Sequence, residues 1–179
     1  MRTALGTATL MPDLAANPGG VGELPVRPLS DILRDHPRFQ HPRLIKIDTD
    51  GSDFEILHAS IDMICELQPV LFFEYDPTFH RDGIRMGMQA IAELQAAGYE
   101  HFLVYDNFGH FMDRIGADVI TRFADLNRYI MSHLCFGRQI CYLDVCAFAA
   151  KDADLAIQLH QHHRDAIDAH VRHAGWQPI

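Results

Sequence analysis

From residue 44 onward, short apolar runs alternate strictly with longer segments of helical period. The runs cover 44–48, 70–74, 102–106 and 141–149. The first three are nearly continuous in apolar residues, the form taken by strands of a parallel sheet with helices on both faces. Between the first two, Phe54, Leu57, Ile61, Ile64 and Cys65 line one face of a helix that opens on a Ser52-x-x-Glu55 capping box. Ile84, Met88, Ile91 and Leu94 line a second helix, which Gly98 is placed to end in a left-handed conformation. A tight turn at Asp106-Asn107-Phe108-Gly109 precedes a third, marked by Val119, Phe123, Leu126, Ile130 and Leu134. A fourth, over 152–174, carries Leu155, Leu159, Ile167 and Val171, with five histidines at its polar positions. The alternation predicts an α/β fold with mostly parallel strands, flanking helices and an antiparallel last strand.

Before residue 44 the pattern weakens. Residues 1–29 are rich in Gly, Pro and Ala, with Asn17-Pro18-Gly19-Gly20 as a turn signal and at most a weak strand near 5–10. Ser30 can cap a short helix over 31–36, which Pro37 ends. The chain thus divides into an irregular N-terminal segment with a short helix (1–43), an α/β half-domain (44–150) and a C-terminal helix (151–179). No internal repeat or low-complexity tract interrupts it.

Composition narrows the function. A chain of 179 residues that is 48% hydrophobic can build the core of one domain. A net charge of −9, with Lys46 and Lys151 the only lysines, leaves no basic stripe for phosphate backbones or anionic lipid, so nucleic acid is not an expected partner. No apolar run approaches the ~20 residues that span a bilayer. The N-terminus lacks a signal-peptide pattern, and Cys65, Cys135, Cys141 and Cys146 form no C-x-x-C pair. A reduced, cytoplasmic protein is expected.

The chemistry gathers at strand ends. The segment 44–57 delivers Asp48 and Asp50 into a glycine turn at the start of a helix, where α/β sheets bind ligands. Glu74 and Asp76 follow the second strand, and Asp106 with Asn107 the third. With neighbouring strands ~4.8 Å apart, these groups can converge on one volume. Carboxylates so placed can act as general base on a hydroxyl, hydrogen-bond sugar hydroxyls, or join an amide oxygen around a hard divalent cation. The competing structural role is for Asp50, like Ser52, to cap the helix while Asp48 bonds loop amides. Lys46 points to the same side of its strand as Asp48 and, in a buried strand, needs a carboxylate partner, most simply on a neighbouring strand. His58, His80 and His110 can each face this edge, but lone histidines at unconstrained spacing are ordinarily surface or core residues. Around His160, His162, His163, His170 and His173 no thiol or acid completes a metal set, and a solvated helix face is expected.

Two families share these residues. Ile47-Asp48-Thr49-Asp50-Gly51-Ser52 resembles the D-x-D-G-[ST] signature of Mg-dependent haloacid-dehalogenase-like phosphatases, with Asp48 as nucleophile and Asp50 as acid/base. The next strand, however, ends in Phe73-Glu74-Tyr75 without the Ser or Thr of that family, and Lys151 is the only later lysine. A longer string, 44–57, resembles the I-K-I-D-x-[DE]-G-x-[DE] segment of FkbM-type methyltransferases. Pro69-Val70-Leu71-Phe72-Phe73-Glu74-Tyr75 is similar to that family's following strand, and Leu29-Ser30-Asp31-Ile32-Leu33 to its short leucine-acid helix. Tyr105-Asp106-Asn107-Phe108-Gly109 and Tyr142-Leu143-Asp144-Val145-Cys146-Ala147-Phe148 are similar to its branch with D-T-D-G.

The resemblance covers roughly residues 24–158. It implies a partial Rossmann-like methyltransferase sheet, S-adenosylmethionine as cofactor, and O-methylation of a sugar or natural-product hydroxyl. It also implies Asp48, Asp50 and Glu74 as catalytic, with Asp48 or Glu74 the base, and Lys46, Tyr75, Asp76, Asp106 and Asn107 on the substrate side. No metal is assigned. The family's glycine-rich cofactor loop has no match before residue 44, since Gly19-Gly20-Val21-Gly22 follows Asn17-Pro18 and not an apolar strand. The likeness is to the C-terminal half, and the cofactor-binding residues stay unassigned. A non-catalytic remnant or interaction module of the fold is the alternative. A half-sheet of this kind leaves ~500 Å² of apolar surface beside the first strand, ~12 kcal/mol at ~25 cal/mol per Å². Residues 1–43, a second copy, or a separate N-terminal half is expected to cover that edge, or else the protein is expected to be poorly stable.

Overall fold

A computed structural model of the chain describes residues 27–137 and 139–177. The weak strand expected near 5–10 and the turn at 17–20 lie outside them. Helix α1 (Leu29–Asp35) and a 3-10 turn (Pro37–Phe39) lead into β1 (Leu44–Ile47), α2 (Asp53–Ala59), α3 (Ile61–Leu67) and β2 (Val70–Tyr75). Next come α4 (Gly83–Ala96), β3 (Tyr99–Asp106), β4 (Phe111–Ile115), α5 (Val119–Phe136) and β5 (Leu143–Ala149). A second 3-10 turn (Ala150–Asp152) then opens α6 (Ala153–His173).

The strands lie in the order β1-β2-β5-β3-β4. Only β1 and β2 pair in parallel; β2 with β5, β5 with β3 and β3 with β4 are antiparallel. The sheet is therefore mostly antiparallel, which corrects the expected mostly parallel arrangement. One reason is that β5 returns between β2 and β3, so those two like-directed strands never meet. The other is β4, where no strand was expected. Asp106 Oδ1 accepts the N–H groups of Phe108 and His110, each at 2.9 Å, and so closes a hairpin that folds β4 back along β3. The common direction of β1, β2 and β3 survives, and their C-terminal ends share one edge.

The two faces of the sheet are unequally covered. On one, Ile47, Phe73, Tyr75, Phe102 and Val145 pack against Phe54 and Leu57 of α2, Ile91 and Leu94 of α4, and Phe123 and Ile130 of α5. On the other, α6 covers β3 and β5 with Ala156 as its only buried residue, above Leu103, Phe148 and Val70. Over β1 no helix among the described residues covers that face, and Leu44 is 58% exposed. Helices on both faces were expected throughout. Among the described residues no strand pairs with the outer edge of β1. Residues 1–26, part of the segment expected to cover it, lie outside the described residues.

Local expectations were met unevenly. Gly98 ends α4 with φ of +90°, as expected. The segment after Gly51 breaks at Ser60 into two helices, and Cys65 is exposed instead of sharing an apolar face. Ser52 makes no side-chain cap bond, so the capping box does not form; Glu55 stands 3.5 Å from His80 instead. Helix α4 buries Gly87, Ala90, Ile91 and Leu94, whereas Ile84 is exposed. Its small residues face inward because a side chain at 87 would stand 2.7 Å from the Tyr75 hydroxyl.

Candidate functional site

The C-terminal edge shared by β1 and β2 holds the acids. Side chains alternate along a strand, so Lys46 and Asp48 share the sheet face of Phe72 and Glu74. Cross-strand register then places Asp144 of β5 beside Glu74 and beside Tyr105 of β3. Carboxylate oxygens of Asp48, Asp50 and Glu74 lie within 4.8 Å of one another, a spacing at which a hard divalent cation can also be held. Lys46 already brings a cation to this group. Its ammonium is 2.8 Å from Asp48 Oδ2 and 6.0 Å from the Phe72 ring centroid. The expected ion pair of Lys46 thus forms within its own segment, on an exposed face and not in a buried strand.

The buried carboxylate of Asp53 holds this edge together. One oxygen accepts from the Thr49 N–H at 3.2 Å and the Thr49 hydroxyl at 2.8 Å; the other accepts from the Glu74 N–H at 3.2 Å. Asp53 therefore ties the end of β1 to the end of β2. Asp50 does not take the capping role open to it from the sequence, and Asp48 pairs with Lys46 instead of bonding loop amides. Asp50 instead turns the chain with φ of +48°, and Gly51 follows at +110°. The Phe79 ring packs directly on Gly51, where an added Cβ would fall 2.2 Å from a ring carbon. His80 Nε2 stands 2.8 Å from the Gly51 carbonyl oxygen. Gly51→Ala is expected to lower stability by more than about 1 kcal/mol, because alanine there meets both an unfavourable φ and the ring. Urea denaturation of the variant checks this.

Crowding of acids shifts their protonation. Burial, reinforced by Asp53, Asp76, Asp48 and Asp50, pushes the Glu74 carboxyl up to about 8. Burial is also the first cause raising Asp53 and Asp144, with Asp48 adding to both. The hydrogen bond to Asp48 raises the Lys46 ammonium. At neutral pH the edge presents a largely protonated Glu74.

Other residues singled out in the sequence are placed elsewhere. Tyr75 is fully buried on the opposite face, where its hydroxyl accepts from Asn127 Nδ2 at 3.1 Å, so it is not available to a substrate. Asp76 Oδ1 accepts from the Thr78 N–H and hydroxyl, both at 2.7 Å, and so braces the loop after β2. Asp106 is spent on the β3–β4 hairpin, and Asn107 Oδ1 accepts from the Cys141 N–H at 3.2 Å. With β5 between, Asp106 stands two strands from Glu74, roughly 10 Å away. His58 pairs with Glu93 at 2.9 Å and His110 with Asp106 at 3.1 Å. Asp53, Asp144 and Phe79 were missed. Asp53 had a signal as the last acid of the I-K-I-D-x-D-G-x-D string, and Asp144 as a polar position between two apolar ones in a strand.

Two hollows among the described residues lie away from these acids. One hollow of about 390 Å³ lies near the start of β1, lined by Leu33, His41, Met63 and Leu67 among others. Another of about 180 Å³ lies between α2 and α4, with Phe54, His58, Met86 and Glu93 in its lining. Neither includes Asp48, Asp50 or Glu74, and Phe79 fills the glycine turn itself. No helix among the described residues is long and apolar enough to cross a membrane.

No curated protein and no solved structure matches the chain. The family model described as the methyltransferase FkbM domain matches residues 5–101, more than half of the chain, from the N-terminal segment through the acidic edge into β3. The lysine strand, its glycine turn and the glutamate strand all fall inside that match, and the chain belongs to the FkbM methyltransferase family.

Proposed function

We propose that this chain provides the acceptor side of a methyl-transfer centre, orienting a hydroxyl of a sugar or natural product at the Asp48–Asp50–Glu74 edge. The observation that carries the proposal is the position of Glu74. Burial, reinforced by four neighbouring aspartates, raises its carboxyl to about 8, near the pH at which a general base is most effective. Asp48 and Asp50 can accept hydrogen bonds from neighbouring hydroxyls of the same substrate and fix its orientation. Asp48 is the weaker candidate for base because its Oδ2 is already engaged by the Lys46 ammonium at 2.8 Å. S-adenosylmethionine, the family's methyl donor, would supply the group transferred when bound. Neither described hollow adjoins the acids, so the roles derived for this chain are confined to holding the hydroxyl and taking its proton.

The phosphatase alternative loses support from Lys151. It follows β5, whose end pairs toward the starts of β2 and β3, away from Asp48, and its ammonium is 2.9 Å from Asp152. Among the described residues neither hollow adjoins the acids and no strand pairs with the outer edge of β1, which favours a second reading, a non-catalytic module of the family fold. Incubation of the folded chain with methyl-labelled S-adenosylmethionine and a panel of sugars and polyhydroxylated natural products separates the two. Label is expected to enter an acceptor at a rate that rises with pH through about 8, as a base of that pKa must lose its proton first. No transfer to any acceptor by a folded sample favours the module.

A further inference from the structure

Helix α6 is held to the sheet largely by polar groups. Apart from Ala156, only the partly buried Leu159 joins it to the small apolar cluster beneath. The rest of the contact centres on Arg114 of β4. Its Nε–H donates to His160 Nδ1 of α6 at 3.3 Å, and its Nη1 stands 3.1 Å from His101 Nδ1 of β3. A guanidinium has donors and no acceptor, so both ring nitrogens must be bare and both imidazoles neutral. Farther along α6, His163 stacks on Phe111 of β4, centroids 4.8 Å and planes 5° apart. Its Nε2 lies 2.9 Å from the Tyr105 hydroxyl. The solvated face expected for these histidines thus holds only in part: His160 and His163 face the sheet.

We propose that the His101–Arg114–His160 bridge is a proton-operated latch, which holds α6 on β3 and β4 at neutral pH and releases it when the two imidazoles are protonated. A proton on either Nδ1 removes the acceptor and sets a cation against the guanidinium at hydrogen-bond distance. The surrounding charges do not rescue it. On α6, His162 and Arg164 add positive charge; Glu100 of β3 and Asp113 of β4 oppose it; Tyr105 of β3 and Cys146 of β5 are neutral neighbours. Asp113 is itself paired with Arg122 of α5. Burial first, then the nearby cations, holds His101, His160 and His163 below the ordinary imidazole value of 6.5. A depressed imidazole means that the undocked state binds more protons. Its contribution to docking is complete above 6.5 and is lost as pH falls below that value. Release uncovers Leu103, Phe148 and Tyr105, and Tyr105 lies in register with Asp144 beside Glu74. The latch therefore acts on the face that adjoins the acidic edge, whether or not the methyl-transfer proposal holds.

Amide exchange of the full chain at pH 7.5 and 5.5, corrected for intrinsic rates, tests it. Protection of α6 is expected to fall by about tenfold or more at pH 5.5 relative to β5. In the double variant His101→Gln with His160→Gln, each amide oxygen can still accept from Arg114 but cannot titrate, and α6 is expected to stay protected. Equal protection of α6 in the wild type at both pH values overturns the proposal, as does the same loss in the double variant. Should that variant not fold, an imidazole proton NMR titration of the wild type decides. Midpoints for His101 and His160 below 6.5, in the range where α6 opens, sustain the latch, and midpoints at or above 6.5 overturn it.

Discussion

Asp53→Ala is expected to lower the free energy of unfolding by about 2 kcal/mol at neutral pH and to loosen the acidic edge. The substitution strands the N–H groups of Thr49 and Glu74 and the Thr49 hydroxyl, all of which Asp53 accepts. A partly buried donor left unpaired costs about 1–3 kcal/mol. Part of the loss is offset because a buried carboxylate disappears, one whose pKa burial has raised. For such an acid the fold prefers the protonated form. The stability it contributes is full below its ordinary value of 3.8 and is lost as pH rises through the folded value. The penalty for Asp53→Ala should therefore be larger in acid than at neutral pH, and Asp53→Asn, which keeps one acceptor oxygen, should fall between. Urea denaturation of the three proteins at two pH values checks the order. A penalty within about 0.5 kcal/mol of zero would show that the β1–β2 tie is dispensable.

Glu74→Gln is expected to reduce methyl transfer by about 10²–10⁴-fold, the usual weight of a general base, while making the protein more stable in alkali. The sign follows from its raised pKa. The neutral acid is favoured by the fold, so the stability tied to Glu74 is full below its ordinary 4.5 and is lost as pH rises through about 8. Glutamine is neutral at every pH and escapes that loss. The variant should therefore gain on the wild type between about pH 5 and pH 8, with activity moving the other way, as expected where a site carries strain for function. Asp144 shares the effect in direction, since burial and Asp48 raise it too. A wild type and a variant whose stabilities run parallel across this range would mean that Glu74 ionises as it does in water.

Much of this was legible in the sequence because it rests on local pattern. The apolar runs at β1, β2, β3 and β5, the Gly98 stop and the two acids before Gly51 are each set by neighbours in the chain. Pairing order is not a local property. Nothing in Leu143–Ala149 states that it will lie between β2 and β3, and the five residues of β4 are too few for a period-2 signal to stand out. That one insertion separated Asp106 from Glu74 and brought Asp144 into the site. Tyr75 shows a different limit. Its alternation with Glu74 places it on the opposite face, and the sequence could have excluded it from the site on that ground alone. Asp53 marks a third case, where the motif string contained the residue but its backbone partner, the Glu74 N–H, lies 21 positions away.

The account turns on a single carboxyl. A carbon-13 NMR titration of the Glu74 side chain, with a chelator present to exclude adventitious cations, measures it without knowledge of acceptor or cofactor. The acidic edge described above predicts a midpoint of about 8 in the wild type, moving down in Asp53→Ala as the aspartate with the largest charge effect on it is removed. A midpoint at the ordinary 4.5, unchanged in that variant, would contradict both the crowded edge and the base assigned to it.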